Sequence, residues 1–189
     1  MSVRNLMLYV LLITQAACSF LTEKPEQNYR IDSRQNFKAP DAWKFEGRIV
    51  MSNQKDSVTA SIAWDHGLAL DVIDLSGPLS QGHIKITVTA EQMQINDGDQ
   101  VHNFIGDPEQ VLVEQLGMQV PVKSLRYWVL GLSDPSAPFV QAEDGFVQLG
   151  WSVRYKSMQK VREMELPYKM GVESELTRLK LIVDQWNIL

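Results

Sequence analysis

Few residues of this chain are of a type that does chemistry, and they are widely spaced. Cys18 is the single cysteine, the histidines are His66, His83 and His102, and Glu163 and Glu165 form one close carboxylate pair. One cysteine excludes an intramolecular disulfide, a CxxC redox pair and a cysteine-ligated cluster held within one chain. Histidines 17 and 19 residues apart lack the close ligand pairs of familiar zinc motifs. No GxSxG elbow surrounds a serine, and no GxxxxGK[ST] run offers a phosphate cradle. Glu163 and Glu165 are expected on one face of a strand, with no partner base in view. The chain therefore reads as a non-enzyme that needs neither metal nor cofactor.

Cys18 is different, because its chemistry is set by what precedes it. Arg4 lies in a basic start, residues 6–13 are mostly apolar, and Ala16-Ala17 stand directly before the cysteine, the layout of a secretory signal. The apolar run is too short to span a bilayer, which takes roughly 20 residues. Thr14-Gln15-Ala16-Ala17-Cys18 resembles a bacterial lipobox, with Gln15 where Leu is usual. On that reading residues 1–17 are a signal peptide, Cys18 carries the lipid, and residues 18–40 form a lipidated tether that ends near the domain at 41–189. Two or more acyl chains, at about 0.8 kcal/mol per buried methylene, anchor a protein stably where one does not. Ser19 is not the aspartate that tends to retain lipoproteins in the inner membrane, so the periplasmic face of the outer membrane is the expected location. An ordinary cleaved signal with an incidental cysteine is the other reading.

The remaining composition is that of one globular domain. Of 189 residues, 44% are hydrophobic and 22% charged, and the net charge of −5 argues against a surface built to neutralise nucleic-acid phosphates.

The elements that would carry a function are mostly strands. Val58, Ala60, Ile62 and Trp64 alternate with Thr59, Ser61 and Ala63, and Ile84, Ile86 and Val88 alternate with Lys85, Thr87 and Thr89. Such a period of two describes antiparallel sheet with one covered face. Turn residues at 53–56, at His66-Gly67 and at 96–99 fall between these runs, as hairpins require. Near the C-terminus Thr177, Leu179, Leu181 and Val183 alternate with Arg178, Lys180 and Asp184. Two helices are expected in the middle. Asp107-Pro108-Glu109-Gln110 supplies an N-cap and a first-turn proline before a stop at Gly117, and a second helix runs from Val122 or Lys123 to Leu130 before Gly131. The short link between them predicts a helical hairpin packed on the sheet.

The run Gly117-Met118-Gln119-Val120-Pro121-Val122-Lys123-Ser124-Leu125-Arg126-Tyr127-Trp128-Val129-Leu130-Gly131-Leu132 resembles the signature of the LolB family of outer-membrane lipoproteins. The pattern is Gly, hydrophobic, any, hydrophobic, Pro, three residues, Leu-Arg-x-Trp, hydrophobic, any, Gly-Leu. Collinear likenesses include the stretch from Trp43 to Gly47, Trp64, the Gly77-Pro78-Leu79 loop, Met164-Glu165-Leu166-Pro167 and Asp184-Gln185-Trp186.

The resemblance implies an α+β fold: a curved antiparallel sheet forming an incomplete half-barrel, with a helical lid over a hydrophobic cavity. It also implies a receptor that takes triacylated lipoproteins from the periplasmic carrier LolA and places them in the inner leaflet of the outer membrane without ATP. The expected partners are therefore LolA, the acylated cargo and the outer-membrane bilayer, and the receptor is expected to act as a monomer. Gly77, Pro78 and Leu79 take the place of the family's membrane-insertion loop, although Gly77 stands where Asn is usual and Ser80 where Gly is usual. The family's cavity tryptophans fall on Trp64, Trp128 and Trp151.

A protein that holds acyl chains needs a covered apolar surface, and strand alternation proposes one. Ile49, Ile62, Trp64, Leu70, Val72, Ile84 and Ile86 are expected to line it from the sheet, with Leu125, Trp128 and Val129 closing it from the second helix and Trp151 added by the resemblance. Asp71 and Asp74 fall on opposite faces, so the parity of residues 68–75 stays open. A structural or scaffold lipoprotein without acyl transfer is the competing reading. It predicts a filled interior.

Overall fold

The computed structural model of the protein describes residues 29, 34, 36–77 and 82–189. Cys18, the signal segment and residues 78–81, Pro78 and Leu79 among them, lie outside the described residues. Eleven strands are described: β1 (Trp43–Ser52), β2 (Ser57–His66), β3 (Asp71–Ser76), β4 (His83–Val88), β5 (Gln92–Asn96), β6 (Val101–Ile105), β7 (Phe139–Ala142), β8 (Gly145–Gln148), β9 (Trp151–Val161), β10 (Met164–Glu173) and β11 (Arg178–Ile188). They form one antiparallel sheet in the order β6-β5-β4-β3-β2-β1-β11-β10-β9-β8-β7. Because β6 and β7 do not pair, the curved sheet stays an open half-barrel. Between those two free edges, in sequence, come α1 (Pro108–Leu116) and α2 (Val122–Trp128).

Strand alternation sets which face is covered. In β1 the odd-numbered Trp43, Phe45, Ile49 and Met51 are buried while Lys44, Glu46 and Arg48 meet water. Gly47 occupies the remaining inward position because an added Cβ would lie 2.1 Å from the Ile182 carbonyl oxygen of β11. A bulge beside it shifts the β1–β11 register between Glu46 and Gly47. One extra residue reverses the parity of the bulged strand. That is how Leu179, Leu181 and Val183 face inward and Trp186, at the opposite parity, does so as well.

The helices begin where the sequence places them. Asp107 caps α1 through a carboxylate that accepts the Glu109 N–H at 2.9 Å, and Gly117 ends it at φ 65°. α2 stops at Trp128, two residues before its expected end. Val129 and Leu130 continue as a tight turn that Gly131 closes at φ 80°, its N–H donating to the Trp128 carbonyl.

The expected tether is docked at its end. Tyr29 and Arg34 are buried against the domain. Tyr29 stacks on Tyr155 at 4.1 Å and its hydroxyl donates to the Gly131 carbonyl at 3.1 Å. A domain boundary at residue 41 therefore leaves out side chains that complete its packing.

Candidate functional site

Between the concave face and the helix pair lie two small apolar voids. The larger, about 50 Å³, is walled by Ile49 and Met51 of β1, Ile62 and Trp64 of β2, Ile73 and Leu75 of β3, Ile86 and Val88 of β4 and Met93 of β5. Its roof is Leu112 of α1 with Val120, Val122 and Leu125. The smaller, about 20 Å³, continues toward β10 and β11, with Phe45, Val129, Met170, Val172, Leu179 and Leu181 in its wall. Both share Ile49, Ile62, Trp64 and Leu125. Leu125 is the lid residue common to both walls.

Of the residues expected to line an acyl-chain cavity, Ile49, Ile62, Trp64, Ile86 and Leu125 stand in the wall of the larger void and Val129 in that of the smaller. Ile84 packs one step away, opposite Leu75 across the β3–β4 ladder. Trp128 and Trp151 face neither void. Trp128 is fully buried, its indole N–H donates to Gln148 Oε1 at 2.9 Å, and Trp151 lies 6.5 Å from it. They anchor the lid and do not line the space.

Leu70 and Val72 are corrections. Leu70 is 41% exposed in the β2–β3 turn, and Val72 lies on the outer face of β3. The register pairs His66 with Asp71 and Trp64 with Ile73, which turns Asp71, Ile73 and Leu75 inward. A carboxylate takes an inward position only when its charge is compensated. Asp71 is compensated three times: Oδ1 accepts the Trp64 indole N–H at 2.9 Å and lies 2.6 Å from His66 Nδ1, and Oδ2 lies 3.2 Å from Arg126 Nη2. Arg126 belongs to α2, so this knot ties lid to sheet. Periodicity alone discards an aspartate from an apolar face, and so it points to Val72 in place of Ile73.

Further polar contacts hold the lid. Asp107 at the start of α1 pairs with Lys123 Nζ of α2 at 2.9 Å, and the Lys123 N–H donates to Glu109 Oε1 at 3.0 Å. The Lys123 hydrogen bond and the Glu109 N–H hold the Asp107 carboxyl below its ordinary value, whereas burial pushes Glu109 up against the pull of Lys123. On the other side Asp134 accepts the Ser124 hydroxyl at 2.7 Å and the Ser136 N–H at 2.8 Å. Burial opposes ionisation of Asp134, but these hydrogen bonds outweigh it and its carboxyl is held low. The fully buried Gln148 uses its amide on the Asp134 N–H and on the Asp134 and Ala137 carbonyls.

The possible catalytic groups do not converge. His66 and His83 face opposite ends of β3, and His102 is on β6 beside Phe104. Glu163 falls in the β9–β10 turn after Arg162 at φ 54°, not on a strand face with Glu165. No group of three potential metal ligands occurs among the described residues, and none of their helices is long and apolar enough to cross a membrane.

The family described as outer membrane lipoprotein LolB matches residues 41–186, the sheet and its lid together. The chain belongs to the LolB family. Among relatives named outer-membrane lipoprotein LolB, that of Pseudomonas fluorescens is 30% identical over 152 residues, covering 77% of this chain and 74% of its own. That of Nitrosococcus oceani is 29% identical over 154 residues, covering 77% and 76%. A solved LolA superfamily protein from Nitrosomonas europaea shares the fold, with a TM-score of 0.51 at 8% identity over 80% of this chain and 88% of its own. The matched range includes the signature that carries Leu125, Arg126 and Trp128.

Proposed function

We propose that this protein is an outer-membrane lipoprotein receptor that takes triacylated lipoproteins from the periplasmic carrier LolA and inserts them into the inner leaflet of the outer membrane, independently of ATP. The observation that carries the reading is the divided apolar space between sheet and lid, whose walls are apolar side chains throughout. An acyl chain of roughly fifteen methylenes costs on the order of 12 kcal/mol to expose to water, at about 0.8 kcal/mol each. A surface that binds it must be large and must itself stay covered until the chain arrives.

The resting space is too small for the cargo. At about 30 Å³ per methylene-sized group, one chain needs roughly 450 Å³, so loading requires the lid to lift and Leu125 to withdraw. Gly117 and Gly131, both in the left-handed region, bracket the segment that would move. Transfer then follows a rising series of affinities from carrier to receptor to bilayer. Acylation of Cys18 anchors the chain at the periplasmic face of the outer membrane, and Leu79, in the Gly77-Pro78-Leu79 loop, touches the bilayer during release. The receptor acts as a monomer.

A photoactivatable residue at Leu125 tests where the acyl chain goes. It should capture a triacylated lipoprotein and fail to capture the same protein whose acylated cysteine is replaced by serine. Equal capture of both would show that Leu125 does not meet acyl chains.

A further inference from the structure

Two leucines stand exposed at the tips of neighbouring hairpins. Leu149 and Gly150 form the two-residue β8–β9 turn at φ 52° and 80°, and Leu149 is 58% exposed. Such a turn needs positive φ at both positions, which Asn-Gly and Asp-Gly adopt readily. A leucine there strains its backbone without gaining burial. Leu176, 55% exposed, is held in the β10–β11 turn by Ser174 Oγ, which accepts its N–H at 3.3 Å and that of Thr177 at 3.1 Å. Glu173 pairs with both Ser152 and Arg178, so the two tips lie side by side, roughly 10 Å apart at two strand spacings. Arg178 pairs in turn with Ser52, which puts the β1–β2 turn on the same rim. Through the antiparallel β2–β3 and β3–β4 pairs that rim also carries Gly77 and Gly82, which flank the segment of Leu79.

Behind the tips the outer face is basic, against the chain's net charge of −5. The register sets Arg154, Gly171 and Lys180 in one row across β9, β10 and β11. Gly171 adds no side chain to a hollow of about 280 Å³ that Arg48, Arg154, Lys156, Lys169 and Lys180 surround. Arg48 is paired with Asp184, and Glu173, at the edge of the hollow, with Arg178. The other four cations are exposed and meet no carboxylate among the described residues.

We propose that this rim and the face behind it contact an anionic bilayer, with Leu149 and Leu176 entering between the headgroups and Arg154 and Lys180 meeting lipid phosphates. Apolar groups backed by cations bind such a surface through buried area plus attraction to anionic lipid. The strain at Leu149 then serves contact, since a smaller or polar turn residue would fold as well and insert nothing. This deepens the reading that Leu79 touches the outer membrane, and it rests on that reading only for which bilayer is met.

The test uses the full chain, acylated at Cys18, in nanodiscs that contain phosphatidylglycerol and no other membrane protein. A fluorophore is attached to a cysteine introduced as Leu149→Cys, Leu176→Cys or, on the opposite rim, Leu68→Cys, at an 85% exposed position between β2 and β3. Lipids spin-labelled in the acyl chain should quench the probes at 149 and 176 at least threefold more than the probe at 68. Replacing phosphatidylglycerol by phosphatidylcholine, or combining Arg154→Gln with Lys180→Gln, should at least halve that quenching. Leu149→Gly should raise the melting temperature and still weaken quenching at 176, because it relieves the turn and removes an inserting side chain. Quenching no greater at 149 and 176 than at 68, or indifferent to both charge changes, would overturn the proposal. A lower melting temperature for Leu149→Gly would do the same, by making Leu149 a support of the fold. Each labelled chain is also offered cargo by the loaded carrier. Cargo uptake without preferential quenching ends this proposal alone, whereas quenching without uptake supports it and counts against the receptor reading.

Discussion

Arg126 on the lid helix reaches across to Asp71 on the sheet, Nη2 to Oδ2 at 3.2 Å, and Asp71 is 3% exposed. This ion pair joins lid to sheet, and the proposed loading would strain it. Breaking one member of a buried pair leaves the other charge uncompensated and costs about 3–5 kcal/mol, so the informative change is milder. Asp71→Asn keeps an acceptor for Trp64 and loses the charge that holds Arg126. It should lower stability by about 1–3 kcal/mol and raise binding of an apolar fluorophore several-fold, with faster amide exchange in α2. Unchanged fluorophore binding and exchange would mean that the contact does not restrain the lid.

Leu125 lines both voids from the lid, so its size should set what the space accepts. Leu125→Phe should fill much of it, leave the melting temperature near that of the wild type and reduce capture of acylated cargo several-fold. Leu125→Ala should cost about 2–5 kcal/mol of stability while capture persists. Thermal melting beside a capture assay reads both, and equal capture by the two variants would remove Leu125 from the binding surface.

Leu79 is expected to act at the membrane. One leucine contributes about 1.5–3 kcal/mol on burial, too little to anchor a protein and enough to bias an encounter already tethered. Leu79→Glu should leave folding and uptake from the carrier nearly intact and impair delivery to vesicles. Equal delivery by variant and wild type would assign Leu79 no part in release.

Asp134 gives the lid a pH dependence whose sign follows from its depressed carboxyl. In the unfolded chain it protonates near its ordinary value of 3.8, whereas the folded state keeps it ionised to lower pH. Its contribution is complete above that value and is lost as pH falls through the folded one. Asp134→Asn should therefore destabilise by about 1–3 kcal/mol at pH 7 and show a shallower loss of stability as pH falls below the ordinary carboxylate value. Denaturant titrations at several pH values measure it, and parallel slopes for the two proteins would contradict the assignment.

Much of this architecture is legible in the sequence because two periods are clean. Alternation in β1, β2 and β4 identifies Ile49, Ile62, Trp64 and Ile86 as inward, and the capping residues around α1 place the helix pair. Two kinds of signal were not legible. Asp71 is polar by type and inward by position, and only the distant Trp64, His66 and Arg126 make that tolerable, so the parity of β3 could not be read locally. Tyr29 and Arg34 sit in a stretch of polar composition and are buried by a surface formed from residues a hundred positions away. The role of Trp128 also depends on Gln148, whose buried amide no local pattern announces.

Acyl-chain transfer is the activity that separates a receptor from a structural lipoprotein, and one assay tests it directly. A form of the protein lacking residues 1–18, checked for folding by circular dichroism, is mixed with the periplasmic carrier loaded with a triacylated lipoprotein, and the complexes are separated. The lipoprotein should move to the receptor without nucleotide, and its unacylated counterpart should not move. Folded receptor that acquires no cargo from the carrier would contradict the receptor reading and leave the structural lipoprotein in its place.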